Sequence, residues 1–477
     1  MNKEENYKLE LSPTEMKALG YQVIDMLVDY QTSVAGQAVK TQVAQADMEA
    51  LLRESAPESG SDASALVRKL QEEILIDLEH KIHPRDFAFI PGPSNFVSVM
   101  ADTIAGGLNI FSGAQLTSSA ATIIELQVID WLRQIFGFED SAGGLFVSGG
   151  SAANLTGLAA ARHLILNDDI GSARIYYSDQ THVSNIKALK LLGFQAEQFS
   201  SISTDEDFRI KPDELQECVN KDRDAGFKPF CIIANAGTTN TGAVDPLEEL
   251  LAIRDTEQMW LHVDGAFGAA AALTDKGREV LKGLENVDSL SFDPHKWLFQ
   301  PYEIGGIIVR DMNHLQKTFA TNASYLRDIQ GPDSQEVNFF DYGIQMTRGF
   351  RALKMWLSIK TFGLAAFRKA IERGIELAEL VETELKKSEH WEIITPAQLG
   401  IITFRYVIAG LDESALSELN QRIVQSIVDD GFAFILTTSL RGQTVLRICA
   451  INPRTSDEDI RLTIEKLGQF GQSAAEP

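Results

Sequence analysis

A lysine and an aspartate that follow two apolar, strand-like runs could bind a cofactor and do chemistry. Lys296 comes soon after the run 289–292, and its apolar neighbours make it an unusual surface residue. Partial desolvation and a nearby cation would lower the pKa of its amine, as a lysine that reacts with a carbonyl group requires. Asp264 follows the run 260–263. Its carboxylate could pair there with a cationic nitrogen, while Ala266 leaves room for a flat ring.

A glycine pair and a histidine add two further candidates. Gly149 and Gly150 stand between an apolar strand and a helix, in the segment 148–154. Such glycines allow a tight turn, and the helix N-terminus offers free N–H groups and a positive dipole end to an anion. The segment is neither a dinucleotide fingerprint nor a Walker A loop, so neither ligand is indicated. His182 follows the strand-like run 174–177 and could lie over a ring or act as an acid or base.

Each of these segments also has a plainly structural interpretation. Two glycines before a helix often form only a turn, and an aspartate after a strand often caps the next turn. A lysine near a strand end is usually solvated, with its stem packed on neighbours, and a histidine there often satisfies local hydrogen bonds. His80 and His83 have a spacing that metal sites use. No cysteine or carboxylate set accompanies them, so we predict no metal site.

Alternating strands and helices between about residues 110 and 310 must position these side chains. The strand-like runs are 145–147, 174–177, 230–234, 260–263, 289–292 and 305–309, and the helix-like stretches include 152–165, 183–192 and 246–255. This alternation predicts an α/β domain with a largely parallel sheet. Ligands of such sheets collect at the carboxyl ends of the strands, which is where the candidate residues fall.

The remaining patterns predict three parts. These are a helical N-terminal arm (1–85), a large α/β domain (86–360) and a small C-terminal α+β domain (361–477). A long helical segment, broken near Gly363, leads into the small domain. The strands of that domain are predicted near 401–406, 432–437 and 444–449.

The arm begins with a clear helix signal. Ser12 and Glu15 have the spacing of a capping box, with Pro13 at the first helical position. An apolar stripe at helical spacing follows, formed by Leu19, Val23, Met26, Leu27 and Tyr30. This stripe needs a partner, which is either the main domain or another subunit.

Composition narrows the class of protein. The chain has 477 residues, of which 44% are hydrophobic, and a net charge of −24. That charge argues against nucleic acid or an anionic membrane surface as the main partner. The three cysteines are far apart, as in proteins of reducing compartments. Because the first residues do not resemble a signal peptide and no apolar run could span a bilayer, we expect a cytoplasmic protein.

The joint order of these segments resembles the pyridoxal-phosphate-dependent group II amino-acid decarboxylases, of which the aromatic-L-amino-acid decarboxylases are best known. The most specific motifs are SDQTH (178–182), NAGTTNTGAVDPL (235–247), WLHVDGAFG (260–268), DSLSFDPHKW (288–297) and RGFRALKMW (348–356). The resemblance covers about residues 10–460. It implies pyridoxal phosphate as cofactor, the aminotransferase-like (type I) fold, and a homodimer with the active site at the subunit interface.

The resemblance also implies roles for individual residues. Lys296 matches the lysine that binds the cofactor, and Asp264 the acid that pairs with the pyridine nitrogen. Ala266 matches the small residue under the ring, and His182 the imidazole above it. Backbone donors at Ser151 and Ala152, with His295, match the phosphate site. Gly150 and Asp293 are further predicted cofactor-binding residues, and Thr239 would lie near the ring hydroxyl and the lysine.

The sequence departs from the family pattern at three places. Family members carry a catalytic tyrosine on a mobile loop that reaches the partner subunit's site, and here the loop is about 322–342. Ungapped counting places Phe339 at that position, as in related aldehyde synthases, whereas a short gap places Tyr342 there. Asp293 stands where asparagine is common in the aromatic enzymes. Because a carboxylate close to the cofactor phosphate would repel it, Asp293 could orient backbone donors and not contact the phosphate itself. Gly349 stands where an arginine pair is common.

The predicted substrate pocket leaves two classes of amino acid open. Phe89, Pro91 and Phe111 would form an apolar wall suited to an aromatic side chain, although they could also be ordinary core residues. Arg85 could instead pair with an acidic side chain. We therefore expect decarboxylation of an aromatic L-amino acid to its amine and CO₂.

Other functions remain open at this point. Within enzymes they are a glutamate, aspartate or cysteine sulfinate decarboxylase and an aldehyde synthase, with an aminotransferase or desulfurase conceivable on fold alone. A catalytically silent binding protein is the alternative outside enzymes, and the intact set of His182, Asp264, His295 and Lys296 argues against it.

Overall fold

The computed structural model describes residues 9–321 and 336–475. The helices of the first half are α1 (Pro13–Ser33), α2 (Gln45–Leu52), α3 (Ala63–Lys69), α4 (Phe96–Gly107), α5 (Ser119–Ile135), α6 (Gly150–Leu166) and α7 (Val183–Leu191). Those of the second half are α8 (Pro212–Asp224), α9 (Leu247–Glu257), α10 (Asp275–Val280), α11 (Asn313–Phe319), α12 (Ala352–Leu385), α13 (Glu413–Asp429) and α14 (Asp457–Ala475).

A seven-stranded sheet forms the centre of the molecule. Its strands are β1 (Gly143–Val147), β2 (Ala173–Ser178), β3 (Phe199–Ile202), β4 (Lys228–Asn235), β5 (Trp260–Asp264), β6 (Ser289–Phe292) and β7 (Gly305–Val309). Their order is β1-β7-β6-β5-β4-β2-β3, and β7 alone runs antiparallel to its neighbours. The predicted α/β architecture with a mostly parallel sheet is confirmed.

The burial of these strands explains why the sequence predicted them. Every residue of β1, β5, β6 and β7 is buried, as expected for strands that helices cover on both faces. Their apolar runs are therefore continuous and easy to recognise. The edge strand β3 was not predicted, because its sequence, FSSI, is short and only one of its four residues is buried.

A second, antiparallel sheet lies in the C-terminal part. Its strands are β8 (Trp391–Gln398), β9 (Ile401–Tyr406), β10 (Leu436–Leu440) and β11 (Gln443–Cys449), in the order β10-β11-β9-β8. The strand predicted near 432–437 begins only at Leu436. The residues before it are engaged otherwise, since Phe434 exchanges backbone hydrogen bonds with the segment 85–87.

Two predicted features of the helices have the expected form: the capping box at the start of α1 and the break of α12 at Gly363. Ser12 Oγ accepts a hydrogen bond from the Glu15 amide, and the Glu15 carboxylate accepts one from the Ser12 amide, at 2.8 Å. Gly363 interrupts α12 with φ +74°, a conformation that glycine adopts readily. The division of the chain at residues 85 and 360 stays a prediction.

Among the described residues, no helix has the length and apolar character needed to cross a bilayer.

Candidate active site

A cavity of about 380 Å³ lies at the carboxyl ends of the central strands. Its lining includes ten residues predicted from the sequence to bind the cofactor: Gly150, Ser151, Ala152, His182, Thr239, Asp264, Ala266, Asp293, His295 and Lys296. A second cleft of about 620 Å³ contains none of them. The sheet thus brings together residues that are up to 146 positions apart in the sequence, counted from Gly150 to Lys296.

Asp264, at the end of β5, forms the floor of the cavity. Its Oδ2 accepts hydrogen bonds from the side-chain amides of Asn154 (2.8 Å) and Asn185 (2.7 Å). Its Oδ1 accepts from the Ala266 amide at 3.2 Å and from Ser291 Oγ at 3.3 Å. Burial raises the pKa of Asp264, but the positive charge of Lys296 and these donors outweigh it, so the pKa lies below its ordinary value. Asp264 is therefore a carboxylate at neutral pH.

A chain of hydrogen bonds behind Asp264 fixes the orientation of its donors. His262 Nε2 lies 3.0 Å from Asn154 Oδ1, and its Nδ1 lies 2.7 Å from Ser289 Oγ. Burial lowers the pKa of His262 to about 4, although the nearby Asp264 raises it. The ring is thus neutral, and since an amide oxygen only accepts, the ring donates from Nε2. This orients the Asn154 NH₂ group towards Asp264.

Lys296 lies beside two carboxylates. Its Nζ is 2.9 Å from Asp293 Oδ2, and its side chain is 24% exposed. Burial lowers the pKa of Lys296, but the negative charges of Asp293 and Asp264 outweigh burial and raise it above its ordinary value. The expectation that a nearby cation lowers this pKa is wrong. The neighbouring charges are anionic, and the adjacent Trp297 is buried in the core against Phe267.

The N-terminus of α6 forms one wall of the cavity. The Gly149 carbonyl accepts hydrogen bonds from the amides of Ala152 and Ala153. The preceding amides, those of Gly150 and Ser151, are therefore the first free donors of the helix and suit an anion. A Cβ atom on Gly149 would lie 3.3 Å from the His295 ring, so the glycine lets the backbone approach that imidazole closely.

His182 and Thr239 also line the cavity. His182 is the N-cap of α7, and its Nδ1 accepts the Ser184 amide at 3.3 Å and lies 2.8 Å from Ser184 Oγ. A neutral ring with an accepting Nδ1 carries its proton on Nε2. Ser184 Oγ in turn accepts from Asn154 Nδ2, so the imidazole and the Asp264 carboxylate are connected through shared partners.

These groups fit pyridoxal phosphate. A buried carboxylate held by amide donors can pair with a pyridinium nitrogen, an amine can bond to an aldehyde, and a helix N-terminus can receive a phosphate. The methyl side chain of Ala266 leaves space beside the carboxylate. The donor set thus matches the three functional ends of the cofactor.

Comparison with known proteins agrees with this chemistry. The family described as "Pyridoxal-dependent decarboxylase conserved domain" matches residues 46–407. The chain belongs to this family. It is therefore a decarboxylase-family enzyme whose cofactor is pyridoxal phosphate.

Three relatives cover nearly the whole chain. An aromatic-L-amino-acid decarboxylase of Bacillus atrophaeus is 47% identical, over 98% of each chain. A phenylacetaldehyde synthase of Petunia hybrida is 31% identical, over 93% of this chain and 92% of its own. The crystal structure of Oryza sativa TDC with PLP and tryptamine is similar with a TM-score of 0.93 and 27% identity, over 98% of this chain and 99% of that one.

The predicted substrate residues of this decarboxylase-family chain are dispersed. Phe89 is 55% exposed and lies under Lys81, whose Nζ is 5.2 Å from the ring centre. Pro91 is buried next to Gly92, where a Cβ atom would lie 2.0 Å from the His295 carbonyl oxygen. This segment therefore borders the cofactor site.

None of the four predicted substrate residues lines the cavity, and Arg85 and Phe111 are engaged elsewhere. Arg85 donates to Asp459 at 2.9 Å and to the Phe432 carbonyl at 2.7 Å, and it packs on the Phe432 ring. Its guanidinium is thus already paired. Phe111 packs against Ala114 and Phe340, and its backbone bridges to Gly349.

The two candidates for the loop position are both embedded in an apolar cluster. Phe339 is fully buried with Leu145 and Val147, and Tyr342 packs against the same cluster, 6.3 Å from Phe339 between ring centres. Neither side chain lines the cavity of its own chain. The rest of the predicted loop, residues 322–335, lies outside the described residues. A Cβ atom on Gly349 would have no neighbouring atom within 4 Å, so sterics do not explain its departure from the family pattern.

Sequence reasoning missed several residues of the site. Asn185 was detectable because it follows His182 by three positions and so lies on the same face of α7. Asn154 belongs to the glycine motif but was not assigned a role. Tyr302 and Glu303 gave no local signal. The Tyr302 ring lies 4.8 Å from the His295 ring, and Glu303 lines the cavity and accepts a hydrogen bond from Arg351.

Proposed function

We propose that this enzyme decarboxylates aromatic L-amino acids to the corresponding amines with release of CO₂. The observation that carries the proposal is the presence, in one cavity, of both the amine of Lys296 and the amide-held carboxylate of Asp264. The names of the Bacillus and Oryza relatives support an aromatic substrate. Pyridoxal phosphate supplies an electron sink for the bond between Cα and the carboxylate.

Each residue of the cavity has a separate role in the proposed reaction. Lys296 would hold the cofactor through its amine, and the amine of the substrate would take that place. Asp264 keeps a proton on the ring nitrogen, because its carboxylate stays charged among amide donors. His182 presents an Nε2–H at the exposed side of the cavity, where it can contact the substrate carboxylate or the ring. The α6 N-terminus and His295 hold the phosphate.

The engagement of Arg85 favours an aromatic over an acidic substrate. An acidic side chain would need a desolvated cation to pair with, and Arg85 is already committed to Asp459. Phe89 is exposed beside the cofactor site and offers an aromatic face. The predicted substrate residues therefore offer apolar contact from Phe89, and Arg85 offers no free positive charge.

The test is a product analysis of the purified, cofactor-loaded enzyme with a panel of L-amino acids. We expect CO₂ and amine from phenylalanine, tyrosine, tryptophan or a hydroxylated relative. Turnover of only glutamate, aspartate or cysteine sulfinate would contradict the aromatic assignment. Silence across the panel would contradict a decarboxylase function.

A second candidate function is aldehyde formation coupled to decarboxylation. Two observations favour this second function. Phe339 and Tyr342 lie in an apolar cluster, away from the cavity of their own chain, and the Petunia relative is named a phenylacetaldehyde synthase. The same panel separates the two functions, because an aldehyde synthase would consume O₂ and water and release aldehyde, ammonia and peroxide in place of amine.

We further propose a cytoplasmic homodimer. No residue of α1 is fully buried within one chain, and Met16, Tyr21 and Val28 are exposed apolar residues on it. A second copy of the chain would bury these side chains and bring loop residues to the neighbouring cavity. The three cysteines are free thiols, as in a reducing compartment.

Sedimentation of the purified enzyme tests the dimer. We expect twice the mass of one chain, and dissociation when Met16 and Tyr21 are both replaced by glutamate. A monomer at micromolar concentration would contradict the proposal. Cell fractionation tests the location, which we expect to be the soluble fraction.

A further inference from the structure

Asp293 is a buried carboxylate in the cavity that the proposed chemistry does not use. Its side chain is 3% exposed. Oδ2 lies 2.9 Å from Lys296 Nζ and 3.6 Å from His295 Nε2. Oδ1 is buried without a hydrogen-bond partner among the described residues. A charged oxygen without a donor is costly in such surroundings, so the Lys296 ammonium is the main compensation for this carboxylate.

The carboxylate also lies at the phosphate end of the cavity. A Cβ atom on Gly150, the first residue of α6, would lie 2.9 Å from Asp293 Oδ2. A Cβ atom on Gly305, at the start of β7, would lie 2.6 Å from Asp293 Oδ1. Both glycines thus give the carboxylate room beside the helix N-terminus that suits an anion. A phosphate bound there and Asp293 would be two negative charges in close proximity.

Cofactor binding must therefore separate Lys296 from Asp293. With the cofactor absent, the charges of Asp293 and Asp264 favour the ammonium form of Lys296, which cannot attack an aldehyde. On loading, Lys296 gives one proton to solvent, and its nitrogen then replaces the aldehyde oxygen, which leaves as water. The Lys296 ammonium that compensates Asp293 is thereby lost, while a phosphate arrives next to the carboxylate.

We propose that Asp293 is a positioning residue that opposes cofactor loading: it holds Lys296 as a paired ammonium and repels the phosphate, so that the cofactor binds less tightly and exchanges faster. The proposal rests on the proposed placement of the cofactor on Lys296. Asp293 acts through Lys296 and the phosphate, and it does not touch the substrate.

Replacing Asp293 by asparagine tests this directly, because the amide keeps the shape and removes the charge. The dissociation constant of pyridoxal phosphate is measured by absorbance titration of the cofactor-free full chain. We expect it to fall on the order of tenfold in Asp293→Asn, with slower release of the cofactor. An unchanged or higher dissociation constant would overturn the proposal. Asp293→Ser is a second neutral variant in case the asparagine is poorly accommodated.

Pyridoxal without its phosphate separates the two parts of the effect. Freeing Lys296 should improve the binding of both compounds in Asp293→Asn, whereas relief of phosphate repulsion should improve only the phosphorylated one. We expect the larger gain for pyridoxal phosphate. Equal gains would refute the repulsion between Asp293 and the phosphate.

The pH dependence of cofactor association should change if Asp293 acts through its charge, and it should not change if the role of Asp293 is only structural. The charged or titratable groups around Lys296 are Asp293, Asp264, His295, Tyr302, His182 and Glu303. Association needs the neutral amine, which predominates only above the pKa of Lys296. Because Asp293 raises that pKa, we expect association in Asp293→Asn to begin at lower pH. An unshifted profile would contradict the ion-pair role.

Two controls make the outcome specific. Asp288→Asn removes another buried carboxylate, next to the opposite end of β6, where it pairs with Arg254 and Arg310, and we expect no change in cofactor affinity. Borohydride reduction followed by peptide mapping shows whether the cofactor is attached to Lys296. A cofactor attached elsewhere would refute the proposed site. Attachment to Lys296 with unchanged affinity in Asp293→Asn would refute only the role of Asp293.

Discussion

The cofactor side and the substrate side of the site are built in different ways. On the cofactor side, Asp264 and Lys296 follow neighbouring strands, and four hydrogen bonds from different elements hold Asp264. On the substrate side, Phe89 is half-exposed on a connecting segment and Arg85 is paired with the C-terminal part. The first side is fixed within one chain, whereas the second depends on loops and, we propose, on a second copy.

The difference shows which part of an active site a parallel sheet can specify. Strand ends are held by ladder hydrogen bonds, so a side chain that follows a strand has a defined position. The segment 83–93 lies outside the central sheet, and its backbone is held instead by the C-terminal part, as in the hydrogen bonds between residues 85–87 and Phe434. We therefore expect substitutions on the cofactor side to abolish chemistry, and those on the substrate side to alter stability or selectivity.

Replacement of Lys296 by alanine should have the largest effect. The variant loses the covalent attachment point of the cofactor, and we expect turnover to fall about a thousandfold or more. Release of CO₂ measures the loss, and absorbance after borohydride treatment shows whether cofactor is still attached. Full activity in Lys296→Ala would mean that another amine binds the cofactor.

Replacement of Asp264 by asparagine should come next. The amide cannot hold a proton on the ring nitrogen, and its NH₂ group would face the amide donors of Asn154 and Asn185. We expect kcat to fall about a hundredfold, as when one electrostatic contact to a developing charge is lost. A melting temperature of Asp264→Asn equal to that of the wild type would show that the fold is retained. A loss of less than about threefold would count against the pairing of Asp264 with the ring nitrogen.

The same contrast explains how much the sequence could predict. The ten cofactor-side residues were detectable because each follows or begins a recognisable element, and the family motifs contain them. The raised pKa of Lys296 was not predicted. It depends on Asp293, three residues earlier in the sequence, and also on Asp264, which only the fold brings close to the amine. The engagement of Arg85 was also hidden, since its partner Asp459 is 374 residues away.

Asn185→Ala should give an intermediate effect. It removes one of two amide donors to Asp264 Oδ2 while the carboxylate keeps the other three contacts. Because a hydrogen bond to a charged group contributes about 1.5–3 kcal/mol, we expect kcat to fall about tenfold. Stopped-flow measurement of the chemical step checks this. Asn220→Ala, an exposed asparagine on α8, is a control that should leave kcat unchanged.

Arg85→Ala should affect stability rather than selectivity. The pair with Asp459 is 17% and 14% exposed, and its loss leaves a partly buried carboxylate, so we expect a loss of about 1–2 kcal/mol in unfolding free energy. Denaturant titration measures this. We expect the ratio of kcat/KM for phenylalanine and glutamate to stay unchanged. A selective loss of glutamate turnover would restore Arg85 as a substrate residue.

Tyr342→Phe should have the smallest effect. Burial raises the pKa of the Tyr342 hydroxyl, and the negative charge of Asp341 raises it further. A proton donor in an apolar cluster with Phe339 would not reach its own cavity without leaving that cluster. We therefore expect the ratio of amine to aldehyde to remain as in the wild type.

Tyr325→Phe is the variant to compare with Tyr342→Phe, because Tyr325 is the other tyrosine of the predicted loop. Tyr325 lies outside the described residues. If a loop tyrosine protonates Cα, one of the two variants must shift the product from amine towards aldehyde and peroxide. A shift in Tyr342→Phe alone would mean that Tyr342 leaves its cluster during turnover. A shift in Tyr325→Phe alone would locate the proton donor there and would leave Tyr342 a packing residue. An unchanged product in both would mean that the proton comes from the cofactor side, where His182 presents its Nε2–H.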